Sequence, residues 1–413
     1  MNKYDSLIIG GGPAGLACAI ACHKKGLKVL LLERENELGG ILKQCIHDGF
    51  GLIRFKERLT GPEYVQRFID EFINLNINYH TLSFVTKTKK INDQYQVTYV
   101  NQNGVTTVIA DNIVIATGCR ERTAKQIAIH GTRPSGVYTA GCAQHFTNLL
   151  GQLPTKRCVI LGSGDIGLIM ARRLTLEGAK VIGVYEAKST PSGLARNLAQ
   201  CLDDYDIPLY LSHTVTKVYG TDRLTSVEVC QVDEKMQPIK DTKQIIQCDS
   251  LILSVGLIPE NEISQSLGVP LDNKTKGPLV DQHLQTTVDH IYVCGNAMHV
   301  NDLVDYVSLS GEIVGDNQNI KNRELINIEY SNNFLYALPQ LIDINHLKES
   351  LFFFRSNKDR KKAELKINID GEEVFKKIYT NLKPPEMETL KLDLSKYSIN
   401  KNTKIQITLE DRT

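Results

Sequence analysis

Short apolar runs, each broken by glycine, punctuate the chain up to about residue 320. Leu7-Ile8-Ile9 leads into Gly10-Gly11-Gly12-Pro13-Ala14-Gly15, a stretch of small and apolar residues follows to about Lys25, and Val29 to Leu32 is a second apolar run. Such runs read as buried strands, and Pro13 falls where a helix tolerates the missing N–H, so the pattern predicts strand, turn, helix, strand. The same order returns at Val159-Ile160-Leu161, Gly162-Ser163-Gly164-Asp165-Ile166-Gly167, a helix through Leu174, and Val181 to Tyr185. Two βαβ units in one chain predict two nucleotide-binding domains.

Three further apolar runs end in glycine: Ile113-Val114-Ile115-Ala116-Thr117-Gly118, Leu251-Ile252-Leu253-Ser254-Val255-Gly256, and Ile291-Tyr292-Val293-Cys294-Gly295-Asn296. The last leads into a helical pattern to about Gln318. Their order predicts one domain interrupted by another, with the first at 1–122 and 282–325 and the second inserted at 123–281. After about Tyr330 the period changes to two: Ala363, Leu365, Ile367 and Ile369 alternate with polar residues, as do Leu390, Leu392 and Leu394, and Ile405, Ile407 and Leu409. With Asp370-Gly371 and Pro384-Pro385 as turns, residues 330–413 read as a small antiparallel β domain without redox chemistry. The expected fold class is α/β, two Rossmann-like domains of three-layer ββα type plus this β domain.

Composition narrows the function. The 413 residues are 42% apolar and 23% charged, and 48 Lys plus Arg nearly cancel 47 Asp plus Glu, which excludes a disordered chain and argues against nucleic acid as a partner. Ten cysteines without CxxC spacing exclude a disulfide scaffold and a zinc ribbon, and no metal site is expected. The N-terminal apolar run lacks a basic flank and is broken by glycine and proline, so neither a signal peptide nor a transmembrane helix is predicted, and a cytoplasmic location is expected.

The two glycine turns carry the chemistry. In Gly10-x-Gly12-x-x-Gly15 the first glycine permits a tight turn, the second lets backbone approach a pyrophosphate, and the third lets helix and strand pack closely. Amide groups at the helix start bind the anion. Glu33 ends the next strand, where a carboxylate accepts from an adenosine ribose, and Glu186 holds the equivalent place after the second turn. A carboxylate there favours a free 2′-hydroxyl, hence NAD(H) over NADP(H), although Lys188 close by weakens that preference.

Both turns, Ala116-Thr117-Gly118, and Thr286 leading into Tyr292-Val293-Cys294-Gly295-Asn296 together resemble the two-dinucleotide-binding flavoproteins that include thioredoxin reductase and lipoamide dehydrogenase. The resemblance covers about residues 1–325. It implies FAD at the first turn, NAD(H) at the second, and electron exchange between them. FAD is then expected at Gly10, Gly12, Pro13, Ala14, Gly15, Glu33, Arg34, Gly40, Ile41, Val85, Ala116, Thr117, Gly118, Gly295 and Asn296. The nicotinamide nucleotide is expected at Gly162, Gly164, Asp165, Ile166, Gly167, Glu186 and Gly256. The chain departs from the disulfide reductases, since Ile41-Leu42-Lys43-Gln44-Cys45-Ile46-His47 and Thr139-Ala140-Gly141-Cys142-Ala143-Gln144 each hold one cysteine where those enzymes hold two. Asn296 likewise replaces their usual aspartate.

Gly39-Gly40-Ile41-Leu42, Gln44-Cys45-Ile46-His47, Cys119-Arg120-Glu121-Arg122 and Gly136-Val137-Tyr138-Thr139-Ala140-Gly141 are similar to flavoprotein subunits of opine oxidases, cyanide synthase and dye-linked proline dehydrogenase, and to those beside anaerobic glycerol-3-phosphate dehydrogenases. That similarity implies a partner dehydrogenase subunit or a homo-oligomer. Two other readings stand beside it: an NADH oxidase or thiol reductase using Cys45 alone, and a non-catalytic assembly subunit. Cys45 reads either as a redox thiol or as a packing residue. His47 reads either as a proton donor or acceptor at the flavin edge or as a loop histidine held by local bonds.

Overall fold

The computed structural model describes residues 2–412. The chain forms two compact units, one of residues 1–43, 48–119 and 259–413, the other of residues 44–47 and 120–258. The expected boundaries at 122 and 282 therefore differ from the observed transitions. The second difference has a packing cause: Val269 and Val280 are buried in the same core as Leu7, Ile8 and Ile115.

In the first unit, strands Asn78–His80, Val29–Leu32, Lys3–Ile9 and Gly104–Ile115 lie side by side, with Ile291–Val293 on the far edge of the last. All these pairs are parallel. The first half of Gly104–Ile115 also pairs antiparallel with Gln94–Asn101, which pairs with Phe84–Ile91. Val29–Leu32, Ile291–Val293 and the ends Leu7-Ile8-Ile9 and Ile113-Val114-Ile115 are buried apolar runs, as strands covered on both faces are, whereas Asn78–His80 at the edge is exposed. Helices Pro13–Lys24, Gly61–Asn74 and Val304–Asp316 belong to the same unit. Four of the expected nucleotide stretches of this unit lie at carboxyl ends: Gly10 follows Ile9, Glu33 follows Leu32, Ala116 follows Ile115, and Cys294-Gly295 follows Val293. Open α/β sheets bind their ligands at that edge.

The second unit repeats the plan. A five-stranded parallel sheet runs in the order Val137–Thr139, Ser250–Leu253, Arg157–Leu161, Lys180–Glu186, Leu209–Leu211, beside a four-stranded sheet of His130–Gly131, His213–Gly220, Leu224–Gln231 and Gln244–Gln247. Helix Asp165–Leu176 follows the second glycine turn.

The alternating pattern near the C-terminus becomes two sheets with a buried cluster of their own, among them Leu365, Ile367, Ile407 and Leu409. Asp370 and Gly371, at φ 49° and 88°, join Arg360–Ile369 to Glu372–Leu382. Among the described residues the pairings here are antiparallel except Leu325–Tyr330 with Ile405–Asp411, which run parallel. No helix among the described residues is long and apolar enough to cross a membrane.

Candidate functional site

The two glycine turns are built alike, bond by bond. Gly10 adopts φ 112° and Gly162 φ 99°. A Cβ on Gly10 would lie 2.3 Å from the Ala116 carbonyl oxygen, and one on Gly162 would lie 2.0 Å from that of Ser254. Only glycine satisfies both demands. The third glycine of each turn backs onto the first: a Cβ on Gly15 would sit 1.9 Å from the Gly10 oxygen, and one on Gly167 2.7 Å from the Gly162 oxygen.

The carboxylates repeat the same wiring. Glu33 is buried, and its Oε2 accepts from the Gly11 amide at 2.6 Å while Oε1 accepts from the Glu35 amide at 2.8 Å. Glu186 is equally buried; Oε2 accepts from the Ser163 amide at 3.0 Å and Oε1 from the Lys188 amide at 3.0 Å. Backbone N–H bonds of this kind hold a carboxylate in one orientation. One difference separates the turns, for the Ser163 hydroxyl gives Glu186 Oε2 a further bond at 2.6 Å.

These residues fit a dinucleotide in each unit. Neither Gly12 nor Gly164 gives its helix a side-chain cap, so the first-turn amides stay available to an anion. A Cβ on Gly12 would meet nothing nearer than the Gly40 Cα at 4.0 Å, and Gly40 itself sits at φ 57° against the turn. Gly295 completes the first cradle: its φ is 64°, a Cβ there would lie 2.8 Å from the Ala14 Cβ, and its amide donates to Ser310 Oγ at 2.8 Å.

The remaining expected residues divide. Thr117 Oγ1 donates to the Glu260 carbonyl at 2.9 Å, Gly118 accepts from the Glu260 amide, and Arg34 pairs with the Glu260 carboxylate at 3.2 Å, so these three share a neighbour. Val85 is half-buried on Phe84–Ile91, just beyond Ser83, whose amide donates to the Glu33 carbonyl. Ile41 is 60% exposed. In the second unit Asp165 turns its carboxylate to the Leu194 amide at 2.9 Å and to Asn197 Nδ2 at 2.6 Å, and Ile166 packs on the core. Gly256 adopts φ 100° and accepts from the Arg122 amide.

Cys45 and His47 belong to a four-residue segment counted with the second unit. Gln44 Nε2 donates to the Gly141 carbonyl at 2.9 Å and to Gln144 Oε1 at 3.0 Å, and Cys45 Sγ lies 3.9 Å from that same oxygen. Burial pushes the Cys45 thiol up to about 12. A thiol held there is almost wholly protonated at neutral pH and a poor nucleophile, which argues against the redox reading. His47 is half-buried.

Asn296 is held by a residue the motifs do not reveal. Its Oδ1 accepts from the Asn301 amide at 3.0 Å and from Asn301 Nδ2 at 3.2 Å, and its Nδ2 reaches Cys119 Sγ at 3.6 Å. Ser163 stands inside the second glycine motif at a position the motif leaves open, whereas Ser83, Glu260 and Asn301 lie outside every motif and act through hydrogen bonds set by the tertiary fold.

A family model described as pyridine nucleotide-disulphide oxidoreductase matches residues 4–311. The chain is similar to a subunit of the opine oxidase of Agrobacterium tumefaciens, 25% identical over 315 residues, which cover 71% of this chain and 61% of that protein. It is similar also to hydrogen cyanide synthase subunit HcnB of Pseudomonas protegens, 26% identical over 322 residues, with 71% of this chain and 66% of that one covered. The chain thus spans less than two thirds of the length of these relatives. Thioredoxin reductase of T. acidophilum shares the fold, with a TM-score of 0.61 at 21% identity over 76% of this chain and 97% of that one.

Proposed function

The chain belongs to the pyridine nucleotide-disulphide oxidoreductase family, and from that premise we propose that it is an electron-transfer flavoprotein subunit, with FAD in the first unit and NAD(H) in the second. It is an oxidoreductase dependent on FAD and a pyridine nucleotide. The finer reading is that electrons pass between NADH and the flavin and on to an acceptor or a partner dehydrogenase subunit.

The observation that carries this reading is the duplicated wiring of Glu33 and Glu186 at two equivalent glycine turns, in a chain where no disulfide joins any of the ten described cysteines. The Cys18 and Cys22 sulfurs lie 3.9 Å apart but are both fully buried in the first core, out of reach of a disulfide substrate. The two relatives above are named as subunits of larger enzymes, which supports a partner. The bound flavin would supply the redox chemistry, as a two-electron acceptor for hydride from a reduced nicotinamide.

The chain's own residues bind and orient. Glu33 and the amides at the start of helix Pro13–Lys24 would hold the adenosine ribose and pyrophosphate of FAD, with Gly295 and Asn296 closing the cradle. Glu186 would accept from the ribose diol of NADH and repel a 2′-phosphate, while the Lys188 amide keeps the carboxylate oriented.

Anaerobic titration of the purified protein with NADH and with NADPH, followed by bleaching of the flavin absorption, tests this. NADH should bleach the flavin at lower concentration than NADPH. Glu186→Ala should raise the NADH requirement about 10- to 100-fold, the equivalent of losing one or two charged hydrogen bonds. No bleaching by either nucleotide at saturation would overturn the proposal.

A further inference from the structure

The segment from Gly295 to Leu303 links the flavin cradle to helix Val304–Asp316. Its far side is covered by the C-terminal sheets. His299 is 1% exposed, and its ring lies 5.5 Å from that of Tyr336 and 5.3 Å from that of Phe353. Tyr336 Oη is 3.4 Å from His299 Nδ1 and accepts from Arg355 Nε at 2.8 Å. The Arg355 guanidinium forms an ion pair with Asp302, and the Met387 amide donates to the other Asp302 oxygen at 2.5 Å. Tyr336, Phe353, Arg355 and Met387 all come from beyond the residues matched by the family model.

Asn301 sits between the two gripped residues. Its Nδ2 donates to the His299 carbonyl at 3.1 Å, and both its nitrogens donate to Asn296 Oδ1. Arg355 thus holds Asp302, and Asn301, the next residue in the chain, holds the side chain of Asn296. His299 Nε2 is buried without a hydrogen-bond partner among the described residues. The His299 ring packs against those of Tyr336 and Phe353, so it serves the segment's position. Burial, with Arg355 as a lesser cause, pushes its pKa down to about 3, which keeps the ring neutral and lets it pack between aromatic rings.

We propose that the C-terminal β domain is a clamp for the flavin site: Arg355 and Tyr336, acting through Asp302, His299 and Asn301, fix the carboxamide of Asn296 in the orientation that binds FAD. The proposal rests on the assignment of FAD to the first unit. Arg355 is a positioning residue in this role, acting through Tyr336 and Asp302. The guanidinium matters in this role because its planar fork serves Tyr336 and Asp302 at once, a geometry lysine reproduces only in part.

The test uses the full chain, with FAD dissociation constants measured by fluorescence titration of deflavinated protein. Arg355→Met and Asp302→Asn should each weaken FAD binding tenfold or more, on the order of a lost charged hydrogen bond. Arg355→Lys should recover part of the loss, and the KM for NADH should stay within about twofold of wild type, because the second unit is untouched. Ile407→Val, which removes a methyl group from the buried C-terminal cluster away from the clamp, should bind FAD as wild type does. Wild-type affinity in both Arg355→Met and Asp302→Asn would overturn the clamp, as would an equal loss in Ile407→Val. Should Arg355→Met fail to fold, Asp302→Asn decides alone, since it keeps the side chain's shape. A wild-type protein that holds no FAD would instead remove the flavin assignment, and the clamp with it.

Discussion

At the residue scale, the difference between a group placed to bind and a group placed to react is one of environment. Glu33 and Glu186 are buried and receive backbone N–H bonds on both oxygens, which fix each carboxylate's orientation. Cys45 is a contrasting case, since burial holds the proton on its thiol. Cys45→Ser is therefore expected to leave NADH-dependent dye reduction within about twofold of wild type, because a thiol near 12 supplies negligible thiolate at pH 7. Steady-state assays with a dye, oxygen and a disulfide check this. A large loss with intact flavin reduction would restore the redox role. The sequence exposes both carboxylates through their spacing from a glycine turn, but it gives no view of the Cys45 surroundings, which depend on Gln44 and Gln144 meeting across the fold.

At the scale of elements, the cradle depends on how closely two helices approach. Pro13–Lys24 and Val304–Asp316 touch through small residues: a Cβ on Gly311 would lie 2.1 Å from the Ala14 carbonyl oxygen, and one on Gly315 2.5 Å from the Ala21 Cβ. Neither glycine needs a special backbone conformation, so each is there for space. Gly311→Ala should force the helices apart, costing about 1–3 kcal/mol as an overpacked contact does. Because Ala14 lies in the first glycine turn, FAD affinity should fall as well. Thermal unfolding and FAD titration of the variant measure the two effects, and a variant with wild-type values in both would show that the helices need not touch. The helical pattern toward Gln318 is legible from the sequence, whereas the role of Gly311 is not, because a helical glycine looks the same whether it faces a helix or solvent. Helix Gly61–Asn74 leaves a signal of another kind, which the glycine-broken apolar runs do not reveal. Thr60 and Glu63 form a capping box, Pro62 follows at the start, and Tyr64, Val65, Phe68 and Phe72 are spaced as one buried face.

At the scale of the whole molecule, local patterns show two strand–glycine turn–helix units, whereas the burial of Val269 and Val280 with the core of the first leaves no periodic trace. The C-terminal sheets are legible as sheets, while their grip on residues 299–302 is a matter of tertiary contact alone. Around that seam the first unit buries titratable groups, and their balance predicts its response to acid. Burial pushes His283 down to about 4 and His299 to about 3. Both are neutral in the folded protein at pH 5, but protonated once unfolded, so each contributes stability that is present above about pH 6.5 and is lost as pH falls toward the folded value. Asp281 acts in the other direction. Burial, offset in part by Arg323, raises it to about 6, so its contribution is present at low pH and is lost as pH rises through 6. Two histidines outweigh one carboxylate over this window, and going from pH 7 to pH 5 should cost the first unit about 2 kcal/mol, at roughly 1.36 kcal/mol per pH unit for each group that titrates only on one side of the transition. Thermal unfolding at the two pH values should show the lower midpoint at pH 5, and His283→Gln should flatten the difference. A midpoint that rises on acidification would mean that the Asp281 carboxylate, rather than the two rings, dominates the buried seam.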